Sequence, residues 1–315
     1  MTDIDNQKRI EFIAECAEKA CILEVSAPKP GNVNREYDFK DTAYGDFILG
    51  SHAIKPAIAE AAINGFNAGI GKISFKEIRI GNYIKNAVIR VKKSHSGGNT
   101  HLGICLLLVP IAAGAGLCMA QRKDFGQLRD NIQKILIATT VDDSISFYDA
   151  VLLSSTHGLN KENELDVSER DSKNKLKELD MNFYRLMRYS TKKDRIAQEL
   201  YNGMPIIFDI GVPMLKKIYE RVNDINSAIV QTYLVILSRY PDTLIGKKVG
   251  WDKAKEVSLY AEKVLGSGGI LADENKEITE FDQFLRSDGN KLNPGTTADI
   301  ITGTLMISLL QGLRV

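Results

Sequence analysis

The chain has 315 residues, 44% hydrophobic and 26% charged, which is ordinary for a globular protein and long enough to bury a core without disulfide staples. Lys and Arg number 41 against 40 Asp and Glu, so the net charge is +1, which excludes a broad electrostatic footprint for nucleic acid or an anionic membrane. No run reaches the ~18 uninterrupted apolar residues of a membrane span.

The period is helical from the start. Residues 8–25 place Ile10, Ile13, Ala14, Ala17, Cys21 and Val25 at steps of three and four. Residues 45–68 repeat the pattern in alanine-rich form. Ser74 and Glu77 have capping-box spacing ahead of a helical stretch ending near Lys93. Ile104 to Met119, the longest apolar stretch, is broken by Pro110 and by glycines, and reads as a buried helix pair or a kinked core helix within 100–120. Further helices are expected at 126–137, 143–155, 174–202, 208–238, 251–265, 276–287 and 295–312. The best strand candidate is Ile73 to Ile80, where alternation is brief and then fails. With no βαβ rhythm and no hairpin dipeptide between strands, the expected fold is all-α, one domain of stacked helices over 1–315. The charged segment 159–180 reads as an exposed helix start or a surface loop that could act as a lid. The alanine-rich stretch 53–62 suits either a homo-oligomer face or core packing. The polar N-terminal sequence MTDIDNQKRIEF does not look like a signal peptide. Cys16, Cys21, Cys105 and Cys118 stand among apolar residues at no metal-ligand spacing, as core cysteines of a cytoplasmic protein do.

Function is sought where a helical chain stops for unusual loops. In EVSAPKPGNV, Pro28 and Pro30 stop the helix and Gly31 permits a tight turn, so Lys29 is held on a stiff loop with little entropy to lose, which suits a phosphate. In SGGNTHLG, two glycines lead into a helix start where Asn99 or Thr100 can cap and His101 lies in the first turn, an arrangement that favours anions. In TTVDD, Thr140 can cap while Asp142 and Asp143 complement the helix dipole; the same acids suit Mg²⁺. In YPDTLIGKKVG, Asp242 can cap or ligate, and Lys247 and Lys248 add positive charge. In LNPGTTAD, Asn293 and Pro294 open a helix through Gly295, Thr296 and Thr297, with Asp299 one turn in. Together the five suggest helix N-termini converging on one polyanion, with carboxylates available for a metal.

In this order, PKPGNV, NTHLG, TTVDD, PDTLIGKKVG and NPGTTAD resemble the triphosphoribosyl-dephospho-CoA synthase family, the CitG-like proteins, from about Glu24 to the last helix. The PDTLIGKKVG spelling is similar to an archaeal-type branch. The resemblance implies an all-α fold and a pentosyl transfer in which the 2′-hydroxyl of dephospho-CoA attacks C1′ of the ATP ribose and adenine leaves. Such a substitution passes through an oxocarbenium-like state that carboxylates stabilise, and the triphosphate calls for Mg²⁺ and basic groups. On the matching positions it implies phosphate contacts from Lys29 and the Gly31 backbone. Asn99, Thr100 and His101 fall at an anion-facing helix start, and Lys247, Gly295 and Thr296 fall with the nucleotide. Asp142 or Asp143, Asp242 and Asp299 become Mg²⁺ ligands or ribose-hydroxyl contacts. Glu24 becomes the general base, with His101 and Asp299 also catalytic. After the first loop, where bacterial members are rich in histidine and aspartate, this chain reads NREYDFKDTAYGDF, with Asp38, Asp41 and Asp46 and no histidine, so the acceptor stays open. Two other readings fit the residue types: a Mg²⁺-dependent N-glycosidic hydrolase of a nucleotide or ADP-ribose, and a non-catalytic nucleotide-binding protein.

Overall fold

The computed structural model describes residues 3–154, 171–272, 274 and 276–315. Residues 159–170 of the charged segment, and the lid reading attached to them, lie outside the described residues. Helices follow one another in the order α1 (Asp3–Ser26), α2 (Tyr44–Ala53), α3 (Lys55–Gly69), α4 (Ile80–Ser94), α5 (Leu102–Ala120), α6 (Leu128–Ile137), α7 (Val141–Ser154) and α8 (Ser172–Glu178). The second half continues with α9 (Phe183–Ser190), α10 (Arg195–Asn202), α11 (Val212–Val222), α12 (Ile225–Arg239), α13 (Thr243–Val249), α14 (Trp251–Gly266), α15 (Lys276–Arg286) and α16 (Gly295–Leu310).

Three expected helices are shorter than the periodicity suggested, each for a local reason. The 45–68 stretch breaks at Ile54, because Pro56 has no N–H to continue the ladder and sits instead in the first turn of α3. The 174–202 stretch is cut twice by capping residues: Asn182 accepts from the Arg185 N–H and Asp194 from the Ala197 N–H. The 208–238 stretch begins as a π-helical turn, Ile207–Gly211, and breaks at Asn223, whose left-handed backbone ends α11 before Asp224 caps α12. The strand expected at Ile73 to Ile80 is instead a 3₁₀ turn, Phe75–Ile78, leading into α4. Glu77 reaches back to the Ser74 N–H and hydroxyl at 2.8 and 2.7 Å, so the local cap overrides the alternation.

The centre of the molecule is built from α5 and α16, both apolar on every face. Helix α5 runs as one continuous helix through Pro110. By length and composition it would cross a membrane, yet 89% of its most apolar window is buried inside the protein. It is enclosed by α1, α3, α4, α6 and α16, while α12 packs on α14 and α4 on α7. All four cysteines are free and buried in this core. Ala57, Ala61 and Ala62 are buried too, on a helix that packs closely on α5.

The α3–α5 contact is close because it is made by glycines. A Cβ on Gly65 would lie 1.9 Å from the Ala113 carbonyl oxygen, and one on Gly116 would lie 1.9 Å from the Ala62 carbonyl oxygen. Backbone cannot yield as a side chain does, so an added methyl must separate the two helices. Gly116→Ala is expected to cost about 3 kcal/mol in urea unfolding through overpacking. Gly266→Ala, at the exposed end of α14 where nothing lies within 4 Å, serves as control and is expected to shift stability by less than about 1 kcal/mol.

Candidate active site

A cleft of ≈ 250 Å³ opens where the C-terminal end of α1 meets the starts of α5, α10, α13 and α16. Two apolar helices buried along their length present their polar first turns here. The positive ends of the helix dipoles therefore gather at one place. Of the residues singled out from the sequence, Glu24, Asn99, Thr100, Lys247, Gly295, Thr296 and Asp299 line this cleft. Asn99 also caps, its Oδ1 accepting from the Leu102 N–H at 3.1 Å.

The starts of α13 and α16 are fixed relative to each other by Asp242. Its Oδ1 accepts from the Leu244 and Ile245 N–H groups at 2.8 and 3.3 Å, and its Oδ2 accepts from the Thr297 N–H and hydroxyl at 2.8 Å each. One buried carboxylate thus caps two helices. The Thr243 and Thr296 hydroxyls meet at 3.1 Å beside it. Burial raises the Asp242 pKa, and the four hydrogen bonds to the charged form oppose that shift.

The acids of the cleft differ in their partners. Glu24 is buried and ion-paired at 3.0 Å with Lys29, which is itself fully buried. The Lys29 ammonium also donates to the Glu24 and Ala27 carbonyl oxygens, so its three protons are used. Asp194 at the start of α10 pairs with Lys247 at 2.5 Å on the cleft rim. Asp299 has no hydrogen-bond or ion-pair partner among the described residues, and its carboxyl lies over Gly103, where a Cβ would be 2.0 Å from Oδ2. Burial first, then the nearby Glu24, Asp242 and Asp194, push its pKa well above the usual aspartate range. Glu24 is also shifted up by burial, but Lys29 opposes that shift.

Several expected roles are corrected by this geometry. Lys29 is turned inward to Glu24 and offers no proton to a phosphate. The Gly31 N–H is already donated to Asp282 Oδ1 at 2.7 Å, so this amide is not free for an anion. Asp242 spends its acceptors on two helix starts rather than on a metal. Asp142 and Asp143 lie away from the cleft. Asp142 is exposed and pairs with Arg79 at 2.9 Å. Asp143 accepts from the Gly81 and Thr140 N–H groups at 2.8 and 2.7 Å, tying α7 to α4. Acids in the first turn of a helix serve as caps as readily as ligands, and here the capping role is the one realised. His101 does not line the cleft: it is buried behind Thr100, its ring 5.8 Å from Phe47, and desolvation lowers its pKa to about 3.

The cleft also holds residues that the sequence did not single out, notably Asn32, Phe39, Phe47 and Asp194. Asn32 is held by donating to the Tyr233 hydroxyl at 2.9 Å, while that hydroxyl donates to the Pro30 carbonyl at 2.8 Å. Reading 174–202 as one helix hid the cap at Asp194, and with it the start of α10. The stability of the α1 end follows from the buried pair: Lys29→Met is expected to cost roughly 3–5 kcal/mol in denaturant unfolding by leaving Glu24 uncompensated, and the added change Glu24→Gln should recover much of it. Equal losses in the single and double variants would contradict that account.

With this geometry in place, the relatives become informative. The profile of the CitG family, described as ATP:dephospho-CoA triphosphoribosyl transferase, matches residues 10–315. The chain is 24% identical over 311 residues to the 2-(5''-triphosphoribosyl)-3'-dephosphocoenzyme-A synthase of Klebsiella pneumoniae, covering 95% of this chain and 90% of that one. A shorter match, 28% identical over 117 residues, is to a "Probable 2-(5''-triphosphoribosyl)-3'-dephosphocoenzyme-A synthase" of Malonomonas rubra and spans 36% of that relative's length. The fold matches a crystal structure described as that of a "putative triphosphoribosyl-dephospho-coA synthase" from Archaeoglobus fulgidus, with a TM-score of 0.64 and 24% identity, covering 85% of this chain and 100% of that one. An all-helical chain whose family match runs from α1 to its last residue belongs to the CitG family of triphosphoribosyl transferases.

Proposed function

We propose that the cleft transfers the triphosphoribosyl group of ATP to a hydroxyl of dephospho-CoA and releases adenine. The observation that carries the roles is the asymmetry between two neighbouring carboxyl groups. Glu24 has a buried lysine at 3.0 Å, and Asp299 has no hydrogen-bond or ion-pair partner among the described residues. Two nearby carboxyls do not both ionise easily, so the proton stays on the one without a counter-charge. Asp299 is then the acid that protonates adenine as the C1′–N9 bond breaks and its electron pair leaves with the base. Glu24 remains the anion that stabilises the oxocarbenium-like ribose. Glu24 therefore acts through its charge rather than as the general base.

The triphosphate suits the positive dipole ends of α5 and α16, which bring Thr100, Gly295 and Thr296 to the cleft, and the ammonium of Lys247 on the rim. Among the described residues no three His, Cys, Asp or Glu side chains are grouped to hold a metal ion, and the acids at 142, 143 and 242 are engaged elsewhere. These residues do not form a metal cage. Mg²⁺ enters as the companion of ATP, with phosphate oxygens and water supplying its coordination. The substrates are thus small-molecule nucleotides, and four reduced, buried cysteines suit a cytoplasmic setting.

Asp299→Asn removes the proton donor while keeping the shape. It is expected to lower kcat by about 10²–10⁴-fold with little change in the KM for ATP. The wild-type rate should fall as pH rises through the elevated Asp299 pKa, because only the protonated form can donate, and the Asn variant should lose that alkaline limb. An Asn variant with wild-type kcat would contradict the assignment. Gly103→Ala tests the same group from outside it: the new Cβ would meet Oδ2 at 2.0 Å and must turn the carboxyl away. We expect kcat to fall while the melting temperature holds, since the displaced atom is the end of a flexible side chain.

A further inference from the structure

Behind the cleft wall, three elements bring together Asp46, His95, Thr100 and His101, a group that the transfer reading has left unused. Asp46 lies in the first turn of α2, where its Oδ2 accepts from the Ala43 N–H at 2.8 Å and fixes the carboxylate. Its Oδ1 is 3.7 Å from His95 Nδ1. The His95 side chain is 2% exposed, and this nitrogen has no hydrogen-bond partner. His95 Nε2 is 3.2 Å from the Thr100 hydroxyl oxygen, and His101 Nδ1 is 2.6 Å from the same oxygen. The approach of Asp46 to His95 is possible only because residue 97 is glycine: a Cβ there would lie 2.3 Å from Asp46 Oδ2 and 3.3 Å from His95 Nδ1.

Proton counting fixes the direction of these bonds. A hydroxyl has one proton and two lone pairs, and each neutral imidazole has one N–H. The Asp46 carboxylate faces His95 Nδ1 and favours the proton there, which leaves Nε2 as an acceptor. The Thr100 O–H then donates to His95 Nε2. One Thr100 lone pair accepts from the His101 Nδ1–H, and His101 Nε2 is left as a buried bare lone pair, which is cheaper than an orphaned N–H. The opposite assignment would turn a lone pair of His95 toward a carboxylate and bury an unpaired N–H on His101. In the favoured assignment one lone pair of Thr100 Oγ1 remains unused, and Thr100 is part of the cleft wall.

We propose that Thr100 is the residue that takes the proton of the attacking hydroxyl, with His95 as the terminal acceptor, Asp46 as the group that orients His95, and His101 as the group that orients Thr100. This inference rests on the transfer reading above and adds the base that it lacks. In the step, the acceptor oxygen forms a bond to ribose C1′ while C1′–N9 breaks. The hydroxyl proton passes to Thr100 Oγ1 as the Thr100 proton passes to His95 Nε2, and the imidazolium formed is paired with Asp46. Asp299 gives its proton to adenine. Charge is conserved: His95 gains one proton and Asp299 loses one, and solvent restores both after products leave. The Asp46–His95 gap of 3.7 Å is of the kind that tightens when a site is occupied.

The test is steady-state kinetics of triphosphoribosyl transfer from ATP to dephospho-CoA by variants whose melting curves match wild type. Thr100→Val keeps the shape without the hydroxyl and is expected to lower kcat by about 100-fold or more, with both KM values within about threefold. Thr100→Ser restores the hydroxyl and should recover kcat to within about tenfold of wild type. His95→Gln keeps a polar side chain that cannot take the proton and should lose kcat, not KM, to a similar degree; it decides the matter if the valine variant misfolds. Wild-type transfer with an undiminished kcat in Thr100→Val or His95→Gln overturns the relay alone. A wild-type protein that releases no adenine and transfers nothing overturns the transfer reading and the relay with it.

Discussion

The cleft depends on a carboxylate that never has to meet a substrate. Asp242 caps α13 with one oxygen and α16 with the other, so the two helix starts cannot move apart without exposing both the N–H and the hydroxyl of Thr297. Such donors have no other partner in a buried place, and that makes the arrangement rigid. From it follow the position of Thr296, the rim position of Lys247, and the depth at which Asp299 sits. Another part of the cleft depends on α5, which is held against α3 by close glycine contacts and capped at its start by Asn99.

Charge in this region is distributed with a purpose that can be read from its pairings. Glu24 is balanced by Lys29, Asp194 by Lys247, and Asp242 by hydrogen bonds. Among the described residues Asp299 has no hydrogen-bond or ion-pair partner, although it shares the cleft with Glu24 and Asp194. Burial and these neighbouring carboxyls push its pKa upward. The cluster of His95, His101 and Thr100 is the complement, ordered by a fixed carboxylate. A reaction that removes a proton from one reactant and delivers one to a departing base needs both kinds of group.

Much of this was legible in the sequence. The helical period gave the all-α fold, and the proline- and glycine-rich interruptions marked the loops that form the cleft. Glu24, Asn99, Thr100, Lys247, Gly295, Thr296 and Asp299 all reach it. What was not legible was direction. Spacing places Lys29 on a stiff loop but does not say that its ammonium turns inward to Glu24. An aspartate pair after a threonine reads the same whether it caps a helix or holds a metal, and Asp143 caps. His101 stands in the motif, yet of these two histidines it is His95 that faces a carboxylate, because the turn through Gly97 brings it back against α2. The helix breaks at Asn182 and Asp194 were hidden by continuous amphipathic spacing across them.

The most direct test of the account is mass spectrometry of the products formed by the purified protein from ATP, Mg²⁺ and dephospho-CoA. The account predicts a dephospho-CoA product carrying an intact triphosphoribosyl group, with free adenine formed in equal amount. Adenine accompanied by free ribose triphosphate, with dephospho-CoA unchanged, would contradict it and would make the cleft hydrolytic.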